Sequence, residues 1–431
     1  MSGPLLVVGA GIAGITTALE AAEAGQEVVL VERDPSVGGR VLKNHQYFPK
    51  MCPPSCGMEI NTRRLAKNPL VRVLTRSEVA AAERDGAGWR VTVRRRAEHV
   101  TSACTACGDC TKVCPATVAD PFNLGLGKVP AIRIPHVDAW PRRYVLDRAA
   151  CAPGCRACAD ACKVPGAIDL DAKDREERID ASAVVVATGW APYPLEKLPE
   201  LGGGLLADVV ANVHLERFAA PAGPTGGKIV RPSDGAAPKR VAFVQCAGSR
   251  DVKHLPYCSA VCCLASAKQA LYVKQQLPDA EVTIYYIDRR MPGRNEAMLG
   301  RAEAAGVRFV KGKVGKVTAG PGGALALRVE DVEAGRVLEA EADLVVLATG
   351  MAPRNGELPI AVKRDGDGFA LDDREARLFV AGVARRPEDV AASVRDATGA
   401  AAKAVGAARS VSSGRDAAGS AARAAAAPRS V

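Results

Sequence analysis

The sequence predicts an α/β fold that combines two nucleotide-binding-type domains with an inserted, cysteine-rich module. A glycine-rich turn near residue 9 joins a short apolar strand to a helix, and a second strand–helix–strand pattern begins at residue 240. Between them, residues 101–172 hold two runs of four closely spaced cysteines. Strand–helix–strand units predict parallel sheets covered by helices. We therefore expect two such sheets and a separate module that is organised by its cysteines.

Composition and charge speak against several classes of function. Of the 431 residues, 48% are hydrophobic and 25% are charged, as is usual for a globular protein. The net charge is +10, but residues 401–431 hold five of the basic residues against one acid, and the rest form no basic stripe. This argues against a DNA-reading domain. No stretch has the features of a membrane span, so we expect a soluble, cytoplasmic chain that meets a membrane only through a partner.

The first nucleotide-binding-type unit carries a dinucleotide fingerprint. Within residues 4–32, an apolar strand, a GxGxxG turn, a helix and a second strand that ends in an acid follow one another. The three glycines permit, in order, the tight turn, the approach of backbone to a pyrophosphate, and close packing of helix on strand. The acid would accept hydrogen bonds from a ribose. The predicted cofactor contacts here are Gly9, Gly11, Gly14, Glu32 and Arg33.

Later motifs favour FAD over NAD. Apolar strands end in Ala-Thr-Gly at residues 184–189 and 344–350, and a last strand, 378–382, ends in glycine before a helical run over 388–405. This set resembles the two-dinucleotide-binding-domain flavoproteins, whose architecture is Rossmann-type and thioredoxin-reductase-like. The resemblance implies further FAD contacts at Gly39, Arg40, Ala187, Thr188, Gly189 and Gly382.

The same resemblance implies how the chain moves between domains. The first Ala-Thr-Gly strand would leave the FAD domain and the second would return to it. Val383 departs from the family pattern, which usually has an Asp that binds the ribityl chain, so flavin contact there would have to be made by backbone. In the second unit a helix is predicted over 259–276. The loop 246–250 lacks GxGxxG, so direct use of a nicotinamide is not expected.

The insert carries the strongest metal-binding signal. Its first run, with spacing CxxCxxCxxxCP, is the bacterial ferredoxin pattern, whereas a zinc site normally shows paired cysteines. In two-cluster ferredoxins the fourth cysteine of each run ligates the other cluster. That rule assigns Cys104, Cys107, Cys110 and Cys162 to one 4Fe-4S cluster, and Cys151, Cys155, Cys158 and Cys114 to the other.

A third group of cysteines lies in the second domain. Cys258 and Cys262 are four residues apart at the start of the predicted helix and so would share a face, with Cys263 about 100° further round. Cys246 follows the preceding strand, where a phosphate-binding glycine would be expected. Four thiolates at a helix N-terminus would suit a third 4Fe-4S cluster. The alternative is a set of buried structural cysteines.

Two further segments leave several interpretations open. Cys52 and Cys56 flank Pro53-Pro54-Ser55 and could be structural thiols, a redox-active pair or additional ligands. Residues 220–236, rich in Gly and Pro, read as a solvated linker, with a partner-contacting or flavin-covering loop as the alternative. Residues 407–431 are rich in Ala, Ser and Arg without periodicity and are predicted to be disordered.

Together these motifs define the predicted domains. They are an FAD-binding domain in residues 1–100 and 173–239, a ferredoxin-like insert with two 4Fe-4S clusters in 101–172, a second nucleotide-type domain with one 4Fe-4S cluster in 240–343, the last FAD-binding segment in 344–406 and the basic tail in 407–431.

Nearly the whole chain, about residues 4–405, resembles the A-type polypeptide of heterodisulfide reductase. It resembles more closely the corresponding polypeptide, QmoA, of the quinone-interacting membrane-bound oxidoreductases (Qmo) of sulfate reducers. The segments that carry the resemblance are 47–57, 224–235, 243–250 and 258–263. In this group Cys246, Cys258, Cys262 and Cys263 hold an unusual 4Fe-4S cluster. Heterodisulfide reductase A typically has a further C-terminal ferredoxin module, which this sequence does not show, and this favours the Qmo type.

The resemblance implies an oxidoreductase component at the periphery of the inner membrane. Its partners would be a sister flavin/iron–sulfur protein, a membrane haem/iron–sulfur protein that meets menaquinone, and adenylylsulfate reductase in dissimilatory sulfate reduction. Two alternatives are a heterodisulfide reductase A-like component that acts on a thiol/disulfide partner and an NAD(P)H-dependent disulfide reductase that uses Cys52 and Cys56. No nucleophile or acid–base pair stands out, as expected for electron transfer.

Overall fold

The computed structural model describes residues 3–86, 88–291, 293–356 and 358–425. The strands are β1 (Leu5–Val8), β2 (Val28–Val31), β3 (Val71–Leu74), β4 (Ser77–Asp85), β5 (Gly88–Arg95), β6 (Thr117–Ala119), β7 (Lys128–Pro130), β8 (Ile132–Arg133), β9 (Val145–Leu146), β10 (Arg175–Ala181), β11 (Ala183–Val186), β12 (Trp190–Pro192), β13 (Val209–Ala211), β14 (Arg240–Ala247), β15 (Glu281–Tyr286), β16 (Arg308–Ala319), β17 (Leu325–Asp331), β18 (Arg336–Ala342), β19 (Leu344–Thr349), β20 (Met351–Pro353) and β21 (Leu378–Val380). The helices are α1 (Ile12–Glu23), α2 (Ser55–Lys67), α3 (Asp109–Lys112), α4 (Ala157–Asp160), α5 (Asn212–Ala219), α6 (Cys262–Gln276), α7 (Ala297–Ala304) and α8 (Val390–Ala425).

The first domain is built on a five-stranded parallel sheet of order β21-β11-β1-β2-β3. Strands β1, β2 and β11 are buried at every residue, because α1 and α8 cover one face and an antiparallel sheet of order β10-β5-β4 lies against the other. Parallel strands covered on both faces read as continuous apolar runs. The carboxyl ends of β1 and β11 meet at the glycine turn, where a ligand site is expected.

The second domain has a seven-stranded sheet of order β13-β19-β14-β15-β16-β17-β18. The predicted boundary at residue 344 is wrong, because β19 pairs with β13 and β14 in this sheet and does not return to the FAD domain. Strand β13, assigned by sequence to the FAD domain, also belongs here. The crossing between domains is made by β12 and β20, which pair antiparallel immediately after the two Ala-Thr-Gly sequences.

The insert leaves and rejoins the FAD domain at a single point. Its ends meet in an antiparallel bridge between Val100 and Ile168, next to a 3.0 Å hydrogen bond from the Thr101 amide to the Ala167 carbonyl. Inside are two short hairpins, β6–β7 and β8–β9, and the one-turn helices α3 and α4, each of which carries one buried cysteine. Such a small core suits a module that is organised by bound clusters.

The end of the chain differs from the sequence prediction. Helix α8 continues to Ala425, so disorder is wrong for residues 407–425, while 426–431 lie outside the described residues. The segment lacks apolar periodicity, but it is rich in Ala, the strongest helix former. Residues 220–236 contain a buried Ile229, whose amide donates to the Gln276 side chain, so this part of the predicted linker packs against the second domain.

Candidate flavin and iron–sulfur sites

A cleft of about 560 Å³ lies between the two sheet domains. Its FAD-domain wall brings together nine of the eleven predicted cofactor contacts. These are Gly9, Gly11, Glu32, Arg33, Gly39, Arg40, Ala187, Thr188 and Gly189. Gly14 lies behind this wall in contact with Gly9, and Gly382 sits between Ala381 and Val383, which both line the cleft. The sequence motifs from distant parts of the chain therefore converge on one site.

The glycine turn is shaped for close approach of a ligand. Gly9 has a φ of +102°, and a Cβ there would lie 2.5 Å from the Ala187 carbonyl oxygen. A Cβ at Gly14 would lie 1.8 Å from the carbonyl oxygen of Gly9. Helix α1 can therefore pack against the turn only because residue 14 has no side chain. A Cβ at Gly11 would meet nothing within 4 Å. Gly11 is thus the glycine whose hydrogen faces open space at the α1 N-terminus, where a pyrophosphate binds.

Glu32 is held at the end of β2 as a buried acceptor. Its carboxylate accepts hydrogen bonds from the Ala10 amide at 2.7 Å and the Asp34 amide at 2.9 Å. Burial, with a smaller contribution from the Asp34 charge, raises the pKa of Glu32 to about 7. Burial disfavours the charged form of this carboxylate. Hydroxyl donors of a ribose would supply the polar partners that favour the ionised form.

Arg40 closes the cleft beside the first Ala-Thr-Gly sequence. Its Nε donates to the Trp190 carbonyl at 2.8 Å, and its guanidinium lies 4.6 Å from the centre of the Trp190 ring. Burial lowers the pKa of Arg40 to about 10, so the group remains a cation at neutral pH. A fixed cation on the wall of the cleft suits an anionic dinucleotide.

Near Gly382, the last of the predicted cofactor contacts, the structure places an acidic residue, Asp396, that the sequence analysis did not identify. The Gly382 amide donates to the Asp396 carboxylate at 2.8 Å, and Asp396 also lies 3.4 Å from the Arg385 guanidinium. The carboxylate at this turn thus comes from α8, whereas Val383 lines the cleft with an apolar side chain. No local motif indicates Asp396, because its hydrogen-bond partner, Gly382, lies fourteen residues earlier in the chain, just after β21.

The wall from the second domain carries a buried ion pair that the sequence analysis also missed. The Lys268 ammonium lies 2.8 Å from the Glu216 carboxylate, and their side chains are 3% and 4% exposed. The Gln269 side-chain amide and the His45 backbone amide also donate to Glu216. Lys268 donates in addition to the Gln46 carbonyl at 2.6 Å. Lys268 lies on an apolar face of α6. A charged residue on such a face was the one feature of the sequence that could have indicated a buried charge here.

The insert gathers its cysteines at α3 and α4. Burial, followed by the neighbouring Cys104, Cys107 and Cys158 thiols, raises the pKa of Cys110 to about 11. Burial, followed by Cys151 and then Cys114, raises the pKa of Cys158. Cys110 thus has Cys104 and Cys107 of its own run and Cys158 of the other run as neighbours, and Cys158 has Cys151 and Cys114. The two runs therefore lie against each other, and the division of their thiols between two clusters stays a prediction. Cys107 is exposed.

The third group also converges. Cys246, Cys258, Cys262 and Cys263 line one small cavity. Burial and then the other thiols of the set raise the pKa values of Cys246 and Cys262. The Arg290 and Ala260 amides point at the Cys263 and Cys258 sulfurs, each at 3.4 Å. Amides that donate to sulfur are a common feature of iron–sulfur sites.

The geometry of this cavity differs from the prediction in one respect. Helix α6 begins at Cys262, so Cys258 belongs to the preceding loop and does not share a helical face with Cys262. Ala260 precedes the helix with a φ of +62°, a left-handed conformation that does not continue an α-helix, and the Ser259 hydroxyl accepts from the Met351 amide at 2.8 Å. Cys246, Arg250 and Ala260 all line the cavity with positive φ. Such strain is uncommon outside glycine and concentrates at functional sites.

The donor chemistry of the third set is that of an iron–sulfur site. In the described part of the chain, no three His, Cys, Asp or Glu side chains are placed to hold one metal ion. A mononuclear site draws all its ligands to one ion, whereas in a four-iron cluster each thiolate binds a separate iron around a central volume. Four thiols line one small cavity, and main-chain amides are directed at two of their sulfurs, those of Cys258 and Cys263; soft sulfur donors of this kind suit a four-iron cluster.

Cys52 and Cys56 lie apart from these sets. Cys52 is half-buried and Cys56 is exposed in the first turn of α2. A backbone bridge joins Cys52 to Tyr47, which lines the cleft together with Phe48 and Pro49. Both cysteines are free thiols. The three interpretations of this pair all stay predictions.

In the residues that the structure describes, no helix is long and apolar enough to cross a membrane.

Comparison with known proteins agrees with this site. A family model described as "FAD dependent oxidoreductase" matches residues 5–44. The A-type polypeptide of the H2:CoB-CoM heterodisulfide, ferredoxin reductase of Methanothermobacter thermautotrophicus is 35% identical over 93% of this chain, and the A-type iron–sulfur polypeptide of the CoB–CoM heterodisulfide reductase of Methanocaldococcus jannaschii is 37% identical over 92%. The chain spans about 63% of the length of these relatives.

Solved structures agree on the fold. Thioredoxin reductase of T. acidophilum is 15% identical with a TM-score of 0.53 and matches 95% of this chain and 98% of its own. Bacillithiol disulfide reductase Bdr of Bacillus cereus is 13% identical with the same TM-score and matches 95% and 99%. The predictions of a thioredoxin-reductase-like α/β fold and of an oxidoreductase are confirmed. The chain thus matches the FAD-dependent oxidoreductase model at its nucleotide-binding segment, and over most of its length it is similar to the A-type polypeptide of heterodisulfide reductase.

Proposed function

We propose that this chain is the FAD and iron–sulfur electron-transfer component of a larger oxidoreductase complex. One observation carries the proposal: Cys262 lines both the flavin cleft and the cavity that it shares with Cys246, Cys258 and Cys263. Its thiol is buried between the two. A cluster held by this set would therefore be separated from the cleft by a single side chain.

The chain's own residues prepare the cleft for a flavin. FAD supplies a junction between two-electron and one-electron chemistry, and iron–sulfur clusters carry single electrons. Gly11 leaves room for the pyrophosphate, and the Glu32 carboxylate is placed to accept hydrogen bonds from a ribose. On the opposite wall, the Lys268–Glu216 pair presents a buried, hydrogen-bonded ionic group. Such a group places fixed charge against the cofactor in a region that excludes water.

The insert would connect this junction to a second electron route. Its hairpin β6–β7 carries Leu124 into the cleft, and Asn123 beside it accepts from the Arg217 guanidinium at 2.7 Å. The insert also contacts the FAD-domain wall, because the Lys43 ammonium donates to the Pro121 carbonyl at 3.1 Å. We propose three 4Fe-4S clusters, two on the insert cysteines and one on the Cys246 set, so that electrons pass between the flavin and two separate cluster routes.

For the complex, we propose the Qmo type. The chain would lie in the cytoplasm at the inner membrane, beside a sister flavin/iron–sulfur protein and a membrane haem/iron–sulfur protein. It would pass electrons between menaquinol and adenylylsulfate reductase. The support is the resemblance of residues 47–57 and 243–250 to that family. A heterodisulfide reductase A-like role on a thiol/disulfide partner is the second candidate, and the names of the relatives favour it.

The experiment is an anaerobic comparison of electron donors on the purified holoprotein. A menaquinol analogue should reduce the flavin only when the membrane haem protein is added, and NADH and NADPH should reduce it slowly or not at all. The reason is that Cys246 and its loop occupy the place of a nicotinamide-binding GxGxxG turn. Flavin reduction by NADPH on the order of tens per second, a typical enzymatic rate, would instead indicate an NAD(P)H-dependent disulfide reductase. Oxidation of the reduced flavin by a heterodisulfide, but not by a quinone, would select the second candidate.

A further inference from the structure

The loop of the hairpin β6–β7, residues 120–127, lies where the insert meets both sheet domains, and we call it the junction loop. Its ends are held together, because the Asp120 amide donates to the Gly127 carbonyl at 3.2 Å and the Gly125 amide donates to the Asp120 carbonyl at 2.7 Å. The Asn123 side-chain amide donates to the Asp120 carboxylate at 2.7 Å. Asp120 and Asn123 are both buried, although loops usually run over the surface. The junction loop is therefore a compact unit that is enclosed by its neighbours.

The junction loop supplies an apolar side chain to each domain. Phe122 packs against the core of the FAD domain, and Leu126 packs against the core of the second domain. Leu124, between them, lines the flavin cleft. A Cβ at Gly127 would lie 3.6 Å from the Pro224 side chain, so the end of the loop also contacts the Gly- and Pro-rich segment after α5. The loop thus joins the two walls of the cleft.

A buried cation of the second domain completes the junction. Arg217, on α5, is 3% exposed. Its Nε donates to the Asn123 side-chain oxygen at 2.7 Å, and its guanidinium lies 4.9 Å from the centre of the Phe122 ring. A second nitrogen of Arg217 donates to the Lys43 carbonyl of the FAD domain at 2.9 Å. Withdrawal of the loop would remove the Asn123 acceptor from a buried cation, which is unfavourable.

On the FAD domain, the loop is attached near the nucleotide-binding end of the sheet. The Lys43 ammonium, which donates to the Pro121 carbonyl, lies 5.5 Å from the centre of the Phe122 ring. That ring stacks on His136 of the insert at 4.2 Å, and the His136 ring lies 2.9 Å from the hydroxyl of Ser36, in the segment that follows β2. The insert and the FAD domain therefore share a continuous set of contacts through the loop.

The hairpin that carries the junction loop stands on the cysteine core of the insert. Strand β6 begins three residues after Cys114, and Ala116 and Val118 pack against the core that contains Cys110 and Cys158. The other buried members of this core are Val100, Ala131, Ile132 and Leu146. So small an apolar core seldom folds by itself, and such modules gain folding free energy from bound metal. We expect the hairpin to keep its place only while the insert holds its clusters.

We propose that the junction loop makes FAD binding depend on the 4Fe-4S clusters of the insert. With the clusters bound, the loop keeps Leu124 in the wall of the cleft and keeps the two walls together. Without them, the hairpin loosens, the cleft opens and FAD is released. The inference rests on the proposed function, since it takes the insert cysteines as cluster ligands. It adds that the chain holds its flavin only when the electron route through the insert is complete.

The test measures the dissociation constant of FAD for anaerobic protein with and without the insert clusters. The clusters are removed by replacing two predicted ligands of each set with Ser, in the variant Cys104→Ser/Cys107→Ser/Cys151→Ser/Cys155→Ser. A fall of about eight irons per chain verifies that both clusters are lost. FAD should then bind about tenfold or more weakly, within the usual range of coupling between two sites.

A variant of the loop tests the route of the coupling. Phe122→Ala/Leu126→Ala, with the clusters in place, should bind FAD about as weakly as the cluster-free protein. Removal of the clusters from this variant should change affinity by less than about twofold, because the coupling is already broken. The matched control is Val137→Ala, which shortens a 63% exposed side chain of the same insert and should keep the native affinity. If the double variant does not fold, Asn123→Ala removes only the Arg217 acceptor and should also weaken FAD binding.

The outcomes separate the inference from the function on which it rests. Equal FAD affinity with and without the insert clusters would overturn the inference. So would an effect of cluster loss that is as large in the loop variant as in the native protein, because the coupling would then bypass the junction loop. An iron content that does not fall when the four insert cysteines are replaced would instead contradict the proposed function.

Discussion

Glu32 gives the sharpest quantitative expectation for the FAD site. In the flavin-free protein its pKa is raised from 4.5 to about 7, chiefly by burial. Below the unfolded value both states are protonated and the carboxyl has no effect on stability. As the pH rises, the unfolded state ionises first, so the folded state is penalised, and the penalty is complete above the folded pKa. At about 1.4 kcal/mol for each tenfold change, the full penalty is about 3 kcal/mol.

The perturbation is Glu32→Gln, which cannot ionise. Between about pH 5.5 and about pH 8 the native flavin-free protein should lose about 2 kcal/mol of unfolding free energy relative to the variant. The amide loses one of the two backbone hydrogen bonds, a difference that does not change with pH. The assay is urea unfolding followed by tryptophan fluorescence, because Trp89 is buried in this domain. Glu27→Gln, on an exposed residue just before β2, is the control and should show no pH-dependent difference.

The same variant should bind FAD about tenfold or more weakly, since a charged acceptor for ribose hydroxyls is lost. A stability difference between native protein and variant that stays constant from about pH 5.5 to about pH 8 would refute the reasoning. It would mean that the Glu32 carboxyl ionises normally in spite of its burial.

Further substitutions test the other parts of the site. Cys263→Ser should abolish or convert the third cluster, seen as lost iron and a changed low-temperature EPR spectrum, while FAD and the insert clusters remain, because Ser is a poor ligand for this soft site; unchanged iron and spectra would make Cys263 a packing residue. Gly11→Ala should fold but lose FAD, whereas Gly14→Ala should destabilise even the flavin-free protein, since its Cβ would meet the Gly9 carbonyl at 1.8 Å; equal stability of the two would contradict this. Lys268→Met should cost about 3–5 kcal/mol of unfolding free energy, because it leaves the Glu216 carboxylate buried and unpaired; a loss of under about 1 kcal/mol, the range of an exposed pair, would mean that water reaches it.

The sequence was informative where function depends on local spacing. The GxGxxG turn and the Ala-Thr-Gly ends are short motifs, and the structure gathers most of their residues at one cleft. Each cysteine run of the insert likewise lies within one short segment, a loop that contains a one-turn helix. Local spacing also led to an error, since Cys258 was assigned to a helix. Its loop is instead fixed by a contact between Ser259 and Met351, ninety-two residues apart, which no local pattern could reveal.

Long-range pairing was the other part that could not be predicted. The run Leu344–Thr349 is apolar at nearly every position, as is any strand buried on both faces of a parallel sheet. Its composition therefore cannot identify its neighbours, and the structure places it in the second sheet. The Lys268–Glu216 pair was missed for a similar reason. Lys268 is marked in the sequence only as a charge on an apolar helix face, and nothing local indicates its partner; the packing of α5 against α6 brings the two charges together.

The central claim is that a third four-thiol set, next to the flavin, holds a cluster. The measurement that tests it most directly is the amount of iron and acid-labile sulfide per FAD in anaerobically purified protein. Three 4Fe-4S clusters predict about twelve of each. A value near eight, with FAD fully bound, would contradict the account, because it would leave Cys246, Cys258, Cys262 and Cys263 as structural cysteines beside the cleft.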